Sequence, residues 1–141
     1  MISRTALTGL VLAAVLIGCS STMPNISSTL LDTTGQNGRA CIDTSDIRGY
    51  GVLDQDVISI DARSNYFLAT VLPGCNDLAT SARAMFSSRF YEVCGGGMDH
   101  LRTSDDNCTI RNIFEFESRE EAFIAHDAAM AARKAAADSA E

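Results

Sequence analysis

The chain has 141 residues, 46% hydrophobic and 21% charged, with no Trp; this suits one small domain with flanking segments and excludes disorder along the whole length. Its formal charge is −7, from 11 Lys+Arg against 18 Asp+Glu. The basic residues are scattered singly, which argues against a nucleic-acid partner, because phosphate binding needs clustered Lys and Arg.

The first eighteen residues have the layout of an export signal: Arg4 supplies the charged start, and Leu7 to Ile17 form an apolar run too short to span a bilayer comfortably. The run ends in Leu16-Ile17-Gly18-Cys19, which resembles the lipobox of bacterial lipoproteins. That resemblance implies cleavage before Cys19 and acylation of its thiol, and two or more acyl chains hold a protein on a membrane essentially permanently. Ser20 follows; in Gram-negative lipoproteins a residue other than Asp there goes with transfer to the outer membrane, facing the periplasm. Residues 19–38 are rich in Ser, Thr, Asn and Gly and are expected to form a flexible tether, since so little apolar surface does not offset the entropy of ordering a backbone.

The β-branched and aromatic residues that build a sheet lie between residues 39 and 117. Thr44-Ser45-Asp46-Ile47 has the composition of a capped single turn, and Tyr50 to Leu53 starts the sheet. Val57–Ile60 and Tyr66–Leu72, separated by the polar Asp61-Ala62-Arg63-Ser64-Asn65, read as a β-hairpin that Pro73-Gly74 ends. Asn76 to Ala79 suits a helical turn. Ala84–Phe86, Phe90–Val93 and Cys108–Phe114 read as further short strands. The fold class expected is therefore mainly β, a small barrel-like or curled antiparallel sheet. Residues 118–141 form a C-terminal helical extension: Ser118 with Glu121 makes a capping box before an Ala-rich run. Only Phe123, Ile124 and Met130 there bury appreciable area, so this helix is expected to project from the domain or pack weakly.

With Cys19 given to lipid, Cys41, Cys75, Cys94 and Cys108 remain, and an even number in an oxidising compartment reads as two disulfides. Pairing Cys75 with Cys94 closes the middle strands, and pairing Cys41 with Cys108 ties the start of the domain to its last strand. The spacing has no Cys-x-x-Cys knuckle, and neither His100 nor His126 stands near a cysteine as a ligand would, so no metal and no cofactor is expected.

Cys41-Ile42-Asp43-Thr44-Ser45-Asp46-Ile47-Arg48, Asp54-Gln55-Asp56-Val57-Ile58, Tyr66 with Leu68, Leu72-Pro73-Gly74-Cys75, Leu78, Cys94 and Cys108-Thr109-Ile110 together resemble a family of small proteobacterial lipoproteins catalogued only as a domain of unknown function. The resemblance covers residues 39–116 and departs in the Ala-rich tail. It implies a compact, disulfide-bearing envelope domain and carries no catalytic residue to transfer.

Three features invite chemistry. Gly95-Gly96-Gly97 offers consecutive N–H groups to an anion but is followed by no Gly-Lys-Ser/Thr, and is read as a flexible turn between strands. Asp99-His100 offers a base and an orienting carboxylate, with Ser87, Ser88 or Ser104 as nucleophile, but adjacent side chains on a strand point to opposite faces. Asp43, Asp46, Asp54, Asp56 and Asp61 are oxygen-rich without the calcium-loop pattern. The chain is therefore expected to be no enzyme but a membrane-anchored, non-catalytic interaction or structural module with an envelope protein partner; a small ligand- or peptide-binding module is the alternative.

Overall fold

The computed structural model describes residues 23–81 and 83–140; the expected signal segment and Cys19 lie outside them. In chain order the elements are α1 (Ile26–Thr34), β1 (Cys41–Asp43), a 3-10 turn (Thr44–Asp46), β2 (Ile47–Asp54), β3 (Val57–Ala62), β4 (Tyr66–Val71), β5 (Met85–Ser87), β6 (Glu92–Cys94), β7 (His100–Arg102), β8 (Asn107–Phe116) and α2 (Arg119–Asp138). The expected mainly β fold with a curled antiparallel sheet and a C-terminal helix is what forms. Six strands order as β2-β3-β4-β8-β7-β5, all antiparallel, and β1 with β6 make a second, two-stranded sheet. The large sheet curls until its two edge strands meet through side chains: Tyr50 of β2 and Phe86 of β5 pack edge to face, ring centroids 6.3 Å apart.

Strands β3 and β4 form the expected hairpin, and both are buried along nearly their whole length. Their near-continuous apolar runs follow from a sheet covered on both faces. One face carries Ile58, Ile60, Leu101, Ile110 and Ile113 and packs under Ile42 of β1 and Val93 of β6. The other carries Val57, Leu68 and Phe114 and packs under Ile26 and Leu30 of α1 and Ala122 and Ala129 of α2. The molecule thus has three layers: two helices, the large sheet, the small sheet.

Two expectations about the flanks are corrected. Residues 24–38 are no tether: Asn25 caps α1 by accepting the Ser28 N–H at 2.8 Å, Gly35 ends it in the left-handed region at φ 68°, and Leu30 is fully buried. The polar composition concealed this because Ser27 and Thr29 are themselves buried and bonded; Ser27 Oγ donates to Asn112 Oδ1 and accepts from Thr70 Oγ1, and Thr29 Oγ1 donates to the Asn25 carbonyl. Nor does α2 project. Ser118 caps it and accepts the Glu121 N–H as expected, while the Glu121 carboxylate reaches back to the Glu117 N–H. Ala122 and Ala129 in its buried stripe are small enough to let α1 pack against it, with His126 buried between them. His126 Nε2 sits in that stripe without a hydrogen-bond partner. Arg133 clamps the assembly, donating to the Pro24 carbonyl at 2.9 Å and lying 3.9 Å from Asp54 Oδ2.

The expected pairing of cysteines is also corrected. Cys41 bonds Cys94 and Cys75 bonds Cys108. Cys41 and Cys94 stand directly opposite in the β1–β6 ladder with Cα atoms 4.1 Å apart, and Cys75 follows β4 beside Cys108 on its neighbour β8, at 5.4 Å. Both contacts are set by strand neighbours far apart in sequence, which the spacing of cysteines does not display.

Where the layers cross, no side chain fits. Ile113 N donates to the Gly38 carbonyl at 2.8 Å, Ala40 N to the Ile113 carbonyl at 3.2 Å, and Gly95 N to the Ala40 carbonyl at 3.0 Å. A Cβ at Gly95 would collide with the Gly38 carbonyl oxygen and come within 2.6 Å of Ile113 N. Gly95→Ala is expected to lower unfolding stability in urea by about 3 kcal/mol or more, and a wild-type midpoint would contradict the crossing. Peptide mapping without reductant should recover Cys41 linked to Cys94 and Cys75 linked to Cys108; any free thiol among the four in the native protein would refute the framework.

Candidate functional site

The four domain cysteines are consumed in structure. Cys41, Glu92 and Cys94 offer ligand atoms within 4.8 Å of one another, yet both sulfurs are spent in the disulfide, leaving a metal one carboxylate. The acidic residues singled out in the sequence do not converge either. Asp43 caps the 3-10 turn, and the Ser45 hydroxyl at 2.7 Å, then the Ser45 N–H at 2.8 Å, hold its carboxyl below the usual carboxylate range. Asp46 lies 3.5 Å from Arg63, and Asp54 accepts the Gln55 N–H and faces Arg133. Asp61 is exposed in β3 opposite Gly49 and Tyr66, and Asp56 contributes its carbonyl to Val71 N. Asp77, which sequence reading passed over, is lowered by the Thr103 hydroxyl and further by the Asp105 N–H and the Thr80 hydroxyl. With Asp106 accepting the Asp77 N–H at 2.8 Å, it ties the loop after Cys75 to the loop before Cys108.

The glycine run is a built turn and not a phosphate cradle. Gly96 and Gly97 have φ of 129° and 85°, which only glycine adopts readily. All three N–H groups are already used: Gly95 N bonds the Ala40 carbonyl, Gly96 N the Arg111 carbonyl at 2.8 Å and Gly97 N the Ile110 carbonyl at 3.0 Å. The expected flexible turn is thus pinned at every residue. Asp99 does not orient His100, because its Oδ2 accepts the Cys94 N–H at 2.8 Å. His100 opens β7, a strand the sequence reading lacked, and its Nδ1 lies 3.3 Å from Thr109 Oγ1 on β8. The β5–β7 register places Ser87 directly opposite His100. These two residues are brought together on an open sheet face; Ser88 and Ser104 are not.

The cavities are polar or small. One of about 640 Å³ is lined by Gln36, Asn65, Glu115, Phe116, Glu117 and Glu121. Its polar groups satisfy one another: Gln36 Nε2 donates to the Glu115 carbonyl, Glu115 N donates to Gln36 Oε1, and Asn65 donates to Glu115. Depressions of about 190 and 210 Å³ flank the Cys75–Cys108 disulfide. By contrast Met85, Phe90, Tyr91 and Met98 stand in water along the β5 edge and the turns beyond it. The sequence assigned Phe90 and Tyr91 to a strand; β6 begins only at Glu92. The polar pair Ser88-Arg89 separates the two aromatics from the preceding strand.

No helix among the described residues is long and apolar enough to cross a membrane. A family model described as a family of unknown function, DUF6491, matches residues 1–137, and the chain belongs to that family. No curated protein and no solved structure matches it.

His100→Ala is expected to change unfolding stability by no more than about 0.5 kcal/mol and, in cells lacking the native copy, to support the same phenotype as wild type at equal abundance. Complete failure of a folded, correctly located variant would point to chemistry at the Ser87–His100 pair.

Proposed function

We propose, starting from membership in a family with no assigned activity, that this chain is a bacterial envelope lipoprotein, held by lipid on Cys19 at the periplasmic face of the outer membrane and acting by surface contact, not by catalysis. One observation supports the non-catalytic part: most of the groups singled out for chemistry in the sequence are committed to holding backbone or to disulfides. Asp43, Asp77 and Asp99 accept backbone N–H groups, Gly95 to Gly97 donate theirs to carbonyls, and all four domain thiols are in disulfides. Catalysis requires groups preorganised around a reacting atom and protected from water, whereas His100 and Ser87 lie on an open face.

Export is supported by the two disulfides, which persist in oxidising compartments. Anchoring is supported by the Leu16-Ile17-Gly18-Cys19 motif and by the position of α1. Because the fold is already ordered at Asn25, a lipid on Cys19 would be separated from Met23 by residues 20–22 alone, a reach of at most about 14 Å. The lipid would then hold the domain against the bilayer surface and not on a long leash.

Wild-type protein is expected to partition into the detergent phase and to carry an acylated N-terminal Cys19 by mass spectrometry. Cys19→Ala should lose acylation and accumulate at precursor mass. A mature wild-type protein that stays in the aqueous phase would overturn the anchor.

A further inference from the structure

We propose that the segment Met85 to Tyr91, together with Met98 and Arg102, is a docking surface for a bilayer rich in anionic lipid. The proposal rests on the anchored reading above and adds what the anchored body touches. Four of the eight exposed large hydrophobic side chains among the described residues fall between residues 85 and 98: Met85 is 70% exposed, Phe90 81%, Tyr91 83% and Met98 73%. The remainder are single residues elsewhere. Tyr91 is the one non-glycine residue with positive φ among the described residues, at 62°. Its carbonyl is held by both the N–H and the hydroxyl of Thr44, at 2.8 and 2.9 Å. The fold thus maintains an unfavourable backbone conformation at a residue whose ring makes no buried contact, the pattern expected where position serves an external partner.

Charge selects the occupant. Residues 83–102 carry Arg83, Arg89 and Arg102 against Glu92 and Asp99, while the rest of the chain has eight basic residues against sixteen acidic ones. Asp99 is turned inward to the Cys94 N–H. The result is a stretch of net charge +1 within the acidic folded part of the chain. Aromatic rings and Met that insert at headgroup depth, beside Arg that pairs with lipid phosphate, match an anionic membrane interface.

Shape and placement agree. Met85 pairs with Arg102 and Ser87 with His100 across β5 and β7, while the alternate residues Phe86 and Leu101 face the core beneath the small sheet. Met85 and Arg102 therefore lie on the helix side of the large sheet, while Phe90 and Tyr91 lie at the entry to β6 of the small sheet, so the surface is the β5 end of the molecule and not one face of a sheet. None of the cavities described above is lined by Met85, Phe90, Tyr91 or Met98, and β5 has three residues, a short edge for adding a partner's strand. Projecting side chains without a groove suit a fluid surface better than a peptide.

The absence of Trp makes the test direct. Phe90→Trp and, as a control on α2, Ile124→Trp each give the full-length protein a single fluorophore. The proteins are reconstituted into vesicles of phosphatidylcholine alone or mixed with phosphatidylglycerol, with and without brominated acyl chains. In the anionic vesicles Trp at position 90 should shift to the blue and lose about half its emission or more to the brominated lipid, while Trp at position 124 is unaffected. Adding Arg89→Glu and Arg102→Glu, or raising salt, should reverse the quenching. Flotation with neutral vesicles reads the Cys19 anchor and quenching at position 90 reads the docking, so each fails on its own. A protein that floats with anionic vesicles while position 90 stays unquenched overturns the proposal, and so does a photocrosslinker at position 90 that captures a protein in cells without lipid quenching in vesicles.

Discussion

The close crossing of Gly38, Gly95 and Ile113 is the constraint on which the arrangement of layers depends. Three segments far apart in sequence run so near one another there that their backbones bond directly, and a single added methyl at Gly95 has nowhere to go. What surrounds the crossing reinforces it. Cys94 immediately precedes Gly95 and bonds Cys41, so the disulfide closes the same contact covalently. On the other side Asn112 donates to the Gly38 carbonyl and accepts from Ser27 of α1, carrying the crossing to the helix layer. Small sheet, large sheet and first helix are thus fixed relative to one another within a few residues of one point. Non-local contacts of this kind carry a loop-closure cost, which a disulfide reduces by restricting the unfolded chain.

Features with a local cause were legible in the sequence. The β3–β4 hairpin follows from two β-rich runs around a polar loop, the 3-10 turn from Asp43 to Asp46, and the start of α2 from Ser118 and Glu121. Features with a distant cause were not. β7 is three residues, His100 to Arg102, with one buried side chain, and it exists because β5 and β8 flank it. The ladder of β1 with β6 joins positions 53 residues apart, so the disulfide that follows from it was misassigned. α1 has local signals in Asn25 and Gly35, but its burial rests on hydroxyls that find Asn112 and Thr70. No composition argument sees such partners. For the candidate site the cysteines were legible as disulfide residues, while the exposed β5 edge was not, since exposure is a property of what fails to cover a residue.

The acidic residues divide the same way between structure and surface. Asp43 and Asp77 have carboxyls held below the ordinary range by hydroxyls and backbone N–H groups. A lowered native pKa means that the ionised form is favoured by folding. The contribution is fully present above the unfolded value of 3.8 and is lost only as pH falls through the lower native value. Both turns therefore keep their bonds at neutral and mildly acidic pH, and the Asp77 carboxylate, accepting the Asp105 N–H, continues to brace the segment between Cys75 and Cys108.

That bracing bears on how the molecule can present a surface. Strands β3, β4 and β8 are buried on both faces, whereas β7 buries only Leu101, β5 only half-buries Phe86, and neither strand contributes to the core under the helices. A strand with half the burial gains less from packing, so the β5 end of the sheet needs other ties. It has three: Tyr50 against Phe86 across the curl, the Cys75–Cys108 disulfide at the base of the long connection into β5, and Thr44 gripping the Tyr91 carbonyl. These hold the backbone in place while leaving Met85, Phe90, Tyr91 and Met98 outside. If the fold were selected for stability alone, apolar side chains of that size would gain more from burial than from water. Left exposed on a braced edge, with Met85 paired to Arg102, they are the side chains that the proposed docking would use.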